Sequence, residues 1–590
     1  MTRLVDDPAT FSDDMLKGFV DAYQQYVVAV PGGVVRATQT TPGKVAVVVG
    51  GGSGHYPAFC GIVGPGFADG AVVGNVFTSP STADAVSVGR AVDSGGGVVF
   101  STGNYAGDVM NFNQAVDQLR QEGIEARYVL VTDDVASAPA NERAKRRGIA
   151  GDFTVFKVAS AAAEAGYDLE GVQRVAERAN GATRTLGVAF DGCTMPGAKE
   201  PLFTVEPGHM GLGLGIHGEP GIEDRPLPSA SELARLLVDG VLADAPEGAG
   251  DRVTVILNGL GRTKYEELFV VWGTVSSLLR EAGLTVVEPE VGELVTSLDM
   301  AGCSLTVMWL DEELEGLWHA PAATPAYTKG IVAPADAGQR RQSVDVAATE
   351  AGPVAEQADK DGLAVAAVVR TGLERMAGAM AQMEEELGRI DAVAGDGDHG
   401  RGMVRGTSAA LAAANATHGD HAGPSTVLTA AGDAWAARAG GTSGVLWGAA
   451  LKAVGNVLSN TGRPSPEQVA EAVRNGYDAL VRLGGAQPGD KTMLDALLPF
   501  CEELSAATGR GDALSAAWDA ASTTARAAAE ATAQLRPKVG RARPLAERSL
   551  GTPDAGALSL AVCVAAVGEV LRERAQDSDS AAQGPQEGTR

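Results

Sequence analysis

The chain is short of positive charge. Its 590 residues carry 47 Lys and Arg against 74 Asp and Glu, a formal charge of −27. A surface that tracks nucleic acid or an anionic membrane needs clustered Lys and Arg, so neither partner is expected. Cysteine is also sparse: Cys60, Cys193, Cys303, Cys501 and Cys563 stand far apart, with no C-x-x-C pair. That spacing indicates neither a zinc site nor a disulfide framework. No run reaches about 18 consecutive apolar residues, the length a membrane helix needs. Met1 to Asp14 is acidic and lacks the basic and apolar regions of a secretory leader. The expectation is a reduced, cytoplasmic protein, and with 45% hydrophobic residues a globular one of several domains or subdomains.

Residues 1–330 alternate short β-branched runs with Gly-rich turns and helix-like stretches. Val45–Val49, Gly97–Phe100, Tyr128–Thr132, Leu186–Ala189, Val253–Leu257 and Leu305–Trp309 read as buried strands. Phe153–Ala165 and Lys264–Ala282 between them read as helices. The alternation predicts an α/β domain of two subdomains meeting near Gly181–Gly187. Residues 331–360 lose the periodic apolar face, are punctuated by Pro334 and Pro353, and read as a linker. From 361 to 574 the pattern is Ala-rich and helical throughout, with about eight candidate helices and no strand, which predicts an all-α domain. Residues 575–590 are polar and expected to be disordered.

Within the helical part stands Asp391-Ala-Val-Ala-Gly-Asp396-Gly-Asp398-His399-Gly400. Asp and Gly disfavour a helix interior, so this stretch is expected to be a loop. Three carboxylates on one loop repel one another unless a cation intervenes, and hard oxygen ligands beside phosphate-accommodating glycines suit Mg²⁺. A solvated acidic turn or a Ca²⁺ loop is the competing reading, although the EF-hand spacing is absent.

The first half carries Gly50-Gly-Gly-Ser-Gly-His55-Tyr-Pro after the first predicted strand. It also carries Asn75-Val-Phe-Thr-Ser79-Pro, Asn104-Tyr-Ala-Gly-Asp108 and Gly213-Leu-Gly-Ile-His217-Gly-Glu-Pro-Gly. A dinucleotide fingerprint does not fit the first of these. The four together, ahead of a helical domain with the Asp loop, closely resemble the dihydroxyacetone kinase family in its single-chain, ATP-dependent form. The second half adds Gly440-Gly-Thr442-Ser443-Gly, Gln487-Pro-Gly-Asp490-Lys-Thr-Met493, Gly540-Arg541-Ala and Glu547-Arg-Ser-Leu-Gly-Thr-Pro-Asp554-Ala-Gly556.

The resemblance implies a ketose-binding α/β domain joined to a nucleotide-binding eight-helix barrel. It implies that His217 bonds covalently to the substrate carbonyl, that Asp108 is the general base, and that His55 assists proton transfer. The demand on His217 is an oriented, neutral imidazole. Gly52 and Ser79 match contacts to the sugar, Asp391, Asp396 and Asp398 match magnesium ligands, and His399, Gly400, Arg401, Gly402, Thr442, Ser443, Gly484, Met493, Arg541, Asp554, Ala555 and Gly556 match the nucleotide lining. ATP, Mg²⁺ and a small ketose are thus the expected ligands, and a homodimer the expected assembly. A lyase that cyclises FAD, or a sensor that only binds ketose, are the alternatives the resemblance leaves open.

Two departures bear on the substrate. Where the family commonly has Glu and Lys, this chain has Tyr56 and Gly103. That lysine contacts the triose in the family, so its loss is expected to leave room for one further hydroxymethyl group. Erythrulose then becomes the expected substrate ahead of dihydroxyacetone, with Tyr56 lining the enlarged pocket. His209, His319, His418 and His421 match no motif and read as surface or packing residues. Trp435 and Trp447 read as core.

Overall fold

The protein is described from a computed structural model that covers residues 2–331, 341, 358–395, 397–419, 421–540, 543 and 546–582. The chain divides into two compact units, 1–349 and 350–590.

The first unit opens with α1 (Phe11–Ala22) and a six-stranded sheet of β1 (Val27–Val30), β2 (Gly33–Arg36), β3 (Ala46–Ser53), β4 (Gly70–Val76), β5 (Val98–Gly103) and β6 (Ala126–Val131), in the order β1-β2-β4-β3-β5-β6. The four strands β4, β3, β5 and β6 are parallel. A parallel sheet is covered on both faces, and successive side chains of a strand face opposite ways. Val47 and Val49 of β3 accordingly join the core under α4 (Gly151–Glu164) and α5 (Leu169–Ala182). Ala46 and Val48 join the core under α2 (Thr82–Val92) and α3 (Ala106–Gln121). An unbroken apolar run, Val45 to Val49, is what that double burial selects.

The chain then enters a second sheet, built from β7 (Thr183–Asp191), β8 (His209–Leu212), β9 (Glu223–Pro226), β10 (Arg252–Gly259), β11 (Thr285–Val286), β12 (Glu290–Gly292) and β13 (Ala301–Trp309). Its order is β11-β10-β13-β7-β8-β9, with β12 also on β10, and α6 (Ala230–Leu242) and α7 (Tyr265–Glu281) cover one face. The boundary between the two sheets falls at Ala182–Thr183, inside the span where the sequence placed it. All six strands read from the sequence are present. The strands it passed over, β1, β2, β4, β8, β9, β11 and β12, are short or glycine-bearing. A last helix of this unit, α8 (Glu312–His319), packs on α4.

The second unit has eight α-helices among its described residues: α9 (Lys360–Asp391), α10 (His399–Gly419), α11 (Pro424–Ala439), α12 (Gly441–Leu458), α13 (Pro466–Gly484), α14 (Leu494–Gly509), α15 (Leu514–Ala531) and α16 (Ala555–Ala582). Each packs on the next, and α16 packs back on α9. Short connections between neighbours from α9 to α15 make an antiparallel ring, and a longer one, 532–554, leads into α16, whose start shares a cleft with the end of α9. The C-terminal ends of α9, α11, α13 and α15 therefore share one end of the ring with the N-terminal ends of α10, α12, α14 and α16. At the α11–α12 crossing, a Cβ on Gly432 would lie 2.7 Å from the Gly448 carbonyl oxygen, so the two helices meet backbone to backbone. Trp435 and Trp447 are buried and stacked 4.7 Å apart, in the core as expected.

Three details differ from the sequence reading. Asp391 is the last residue of α9, so the acidic loop is shorter than expected and begins after it. The final helix runs to Ala582, well into the 575–590 stretch expected to lack structure. Its segment Ala555–Gln576 has the length and hydropathy of a membrane span, yet Leu560, Cys563 and Val570 are buried in the unit. The expected linker, 331–360, lies almost wholly outside the described residues. Within it Arg341 donates its backbone N–H to the Ala37 carbonyl oxygen at 2.9 Å and Nη2 to Thr40 Oγ1 at 3.1 Å.

Gly400, in the first turn of α10, is where the Asp loop meets α9: a Cβ there would overlap the Glu384 carbonyl oxygen. Gly400→Ala should therefore cost about 1–3 kcal/mol through overpacking. Denaturant unfolding followed on the isolated transition of the helical unit would measure it, and an unchanged midpoint would contradict the packing described.

Candidate active site

The glycines after β3 exist to bring strands together. A Cβ on Gly52 would lie 2.6 Å from the Thr78 nitrogen and 2.8 Å from the Phe77 carbonyl carbon, so only glycine lets the β3 end close on the turn after β4. That closure delivers His55 into the interior, where it is 2% exposed. His217 arrives from the turn after β8 and is 9% exposed. The two rings meet: His55 Nε2 and His217 Nε2 are 3.0 Å apart. Phe77 stacks on His55 and lies edge-on to His217, each at 5.0 Å.

The outer nitrogens are both held by acceptors. His55 Nδ1 is 2.7 Å from the Thr296 carbonyl oxygen, and His217 Nδ1 is 2.9 Å from Glu219 Oε1. Glu219 Oε2 also accepts the His217 backbone N–H at 2.9 Å. Behind it stands Arg147, 3.9 Å from Glu219 and hydrogen-bonded through Nε to Asp134 at 2.9 Å.

A carbonyl and a carboxylate can only accept, so each ring donates from Nδ1 and turns its Nε2 toward the other ring. Burial, with the charge of His217 added, pushes His55 down to about 3, so His55 stands here as a neutral imidazole.

Asp108 lies in the first turn of α3, 7% exposed. Ser79 is tied to the same helix, because Asn111 Nδ2 donates to its Oγ at 3.3 Å. Gly103 ends β5, and the room expected there is already taken. A Cβ on Gly103 would lie 2.9 Å from the ring of Tyr105, which caps α3 and stands 4.9 Å edge-on from His217. Tyr105 thus stands directly against Gly103. Tyr56 is also not where the sequence put it. It is 41% exposed, its ring packs 6.1 Å from Phe19 on α1, and its hydroxyl hydrogen-bonds Tyr23. Its link to the histidine pair is its carbonyl oxygen, which accepts from Thr296 Oγ1 at 2.8 Å.

In the helical unit, the motif residues gather where helices start and stop at one end of the ring. His399, Gly400, Arg401 and Gly402 form the first turn of α10, Thr442 and Ser443 the first turn of α12, and Met493 caps α14. Asp554, Ala555 and Gly556 open α16, and Gly484 closes α13. Unpaired N–H groups and the positive end of the helix dipole suit phosphate at such termini. A solvent-open cleft of about 340 Å³ is lined by Asp391, Asp554 and Ala555, together with Lys491 and Ser549, which the sequence reading did not single out. Lys491 Nζ donates to Ser549 Oγ at 2.6 Å. Burial, reinforced by Asp391 and Asp495, pushes Asp554 up to about 7. His399 is held below its ordinary value by burial, and its Nε2 lies 2.9 Å from Ser559 Oγ.

Among the described residues no three His, Cys, Asp or Glu side chains stand close enough to hold a metal ion. Asp396, the middle of the three candidate ligands, and Arg541 lie outside those residues. What is described fits a divalent cation nonetheless: carboxylates crowd the cleft until one of them, Asp554, favours its proton.

The residues missed by sequence reading are Glu219, Thr296, Phe77, Tyr105 and Arg147. Glu219 had a signal, two positions from His217 inside a quoted motif. Thr296, distant in sequence, had none.

The ring orientation is testable in ¹⁵N-imidazole spectra of the free protein, where His217 should carry its proton on Nδ1, the nitrogen that faces Glu219. A His217 protonated on Nε2 alone would refute the placement.

The chain matches the Dak1 domain over residues 17–326 and the DAK2 domain over residues 393–569. It is 67% identical over 572 residues to a D-erythrulose kinase of Mycolicibacterium smegmatis, covering 97% of this chain and 99% of that one. It is 54% identical to an L-erythrulose kinase of Pectobacterium atrosepticum, over 98% of each. Among solved structures, the dihydroxyacetone kinase of C. freundii in complex with AMP-PNP and Mg²⁺ is similar at 30% identity and a TM-score of 0.51, covering 96% of this chain and 99% of that one. With a histidine pair in one unit and a ring of phosphate-suited helix termini in the other, this chain belongs to the dihydroxyacetone kinase family and is a kinase of its single-chain, two-domain form.

Proposed function

We propose that the protein transfers the γ-phosphoryl group of ATP to a terminal hydroxyl of a short ketose, erythrulose ahead of dihydroxyacetone, held covalently on His217. The observation that carries this is the His217 ring, fixed through Nδ1 by Glu219 so that Nε2 is the atom left to react. As Nε2 attacks the carbonyl carbon, the carbon–nitrogen bond forms and the carbonyl π bond opens. The ring, protonated on Nδ1, attacks with the free lone pair of Nε2; its Nδ1 proton then passes to Glu219, 2.9 Å away, and the new oxygen takes a proton from solvent, with His55 beside it as the relay. The product is a hemiaminal, and polyols without a carbonyl cannot form it.

Asp108 then accepts the proton of the terminal hydroxyl as its oxygen attacks phosphorus, a role worth about 10²–10⁴-fold. Ser79, tied to Asn111 beside that base, holds the sugar. In the helical unit Asp391 and Asp398, with Asp396, would hold Mg²⁺, which neutralises phosphate charge as transfer proceeds. The N-terminal turns of α10, α12, α14 and α16 orient the nucleotide. The named relatives support a four-carbon ketose, and the 67% identical one is named for the D enantiomer.

Two measurements test the reading. In a coupled assay with ATP and Mg²⁺, kcat/KM for an erythrulose enantiomer should exceed that for dihydroxyacetone by about 10-fold or more; equal or better turnover of dihydroxyacetone would return the triose reading. Separately, Asp398→Ala should lose transfer while a trapped ketose adduct still maps to His217. An adduct on His55, or transfer surviving in Asp398→Ala, would break the corresponding assignment.

A further inference from the structure

Tyr105 has no assigned role, yet it is the aromatic wall of the histidine pair on the α3 side. Its ring stands 4.9 Å from the His217 ring at an interplanar angle of 86°. Its hydroxyl donates to the Gly148 carbonyl oxygen at 2.9 Å. Its lower edge rests on Gly103, where a Cβ would lie 2.9 and 3.1 Å from two ring carbons. Gly148 completes the seat, since a Cβ there would lie 2.5 Å from the Gly103 Cα. Two glycines from separate segments thus meet under one ring, and the ring meets the histidine that receives the substrate.

We propose that Tyr105, seated on Gly103 and Gly148, is the specificity-determining residue that sets ketose chain length beside His217. This rests on the ketose-kinase reading above. A side chain at residue 103 must press on the ring, because its Cβ would lie 2.9 Å from the ring on one side and 3.2 Å from the Gly148 carbonyl oxygen, which is backbone. Gly103 therefore acts through Tyr105: it fixes where the wall stands, and the wall fixes how much carbon fits beside the carbonyl bonded to His217. The hydroxyl anchors the ring but is not its working part.

The test uses the full-length protein with erythrulose, dihydroxyacetone and a five-carbon ketose, ribulose, under saturating ATP and Mg²⁺. Gly103→Ala should lower the erythrulose-to-dihydroxyacetone ratio of kcat/KM by about 10-fold, the discrimination a single pocket contact supplies. Tyr105→Phe should keep that ratio within about 3-fold, because the ring stays. Tyr105→Ala should raise the relative kcat/KM for ribulose by about 10-fold or more. A structural role would instead lower all three substrates by a common factor and leave every ratio where it was, and that result would overturn the proposal. Thermal melts of each variant identify loss of folded protein, which scales all three substrates alike and so cannot imitate a changed ratio. Should the unmodified protein phosphorylate no ketose at all, the parent reading fails and this inference falls with it. Should it prefer erythrulose while the variants keep its ratios, only the assignment of Tyr105 fails.

Discussion

The histidine pair, the proposed ketose site, depends on one buried hydrogen bond, from His217 Nδ1 to the Glu219 carboxylate at 2.9 Å. An imidazole in a protein interior can present either nitrogen, and which one reacts is decided by what holds the other. Glu219 decides it, and its second oxygen grips the His217 backbone so that ring and main chain move together. The carboxylate is itself braced by Arg147 and, through it, Asp134. From that fixed ring follow the placement of His55 and the stacking of Phe77. A buried charge left uncompensated is costly, and Arg147, 3.9 Å from Glu219, compensates this carboxylate.

The helical unit solves a different problem by topology. An antiparallel ring with an even number of helices necessarily puts four N-terminal ends on the same side, and the motif residues are distributed over all four. No single loop has to surround a triphosphate. The carboxylates at that end come from the end of α9 and the start of α16, so the acidic side of the cleft is assembled from the first and last helices of the unit. Their crowding, visible in the raised Asp554, is the electrostatic counterpart of the sequence observation that three aspartates on one loop call for a cation.

How much of this was legible beforehand divides along physical lines. Strands such as Val45–Val49 were readable because burial on both faces leaves only β-branched apolar residues, and the helices because their Ala-rich faces repeat with helical period. Short strands such as β8 and β9 carry too few residues for a period to show. His217, His55 and Asp108 were found through motifs, and the structure does bring the two histidines into contact. The consequence of Gly103 was misread. A sequence shows that a side chain is absent, but not which neighbour moves into its place, and Tyr105 lies only two positions away. Tyr56 was misplaced for the complementary reason, since adjacency to His55 in the chain says nothing of direction, and its side chain leaves toward α1. Thr296, far along the chain, became a partner of His55 only through folding.

The closure of α16 on α9 has a consequence for synthesis. Domains fold largely as the chain emerges, at about 5–20 residues per second, and contacts between distant segments form last. Asp391 and Asp554 line one cleft but are separated by six intervening helices, α10 to α15, so a growing chain lacks this cleft until its last helix is made. The histidine pair needs only the first unit. On the proposed reading, a nascent chain therefore completes its ketose-holding half well before it can hold a phosphate donor, and translation order alone separates the two.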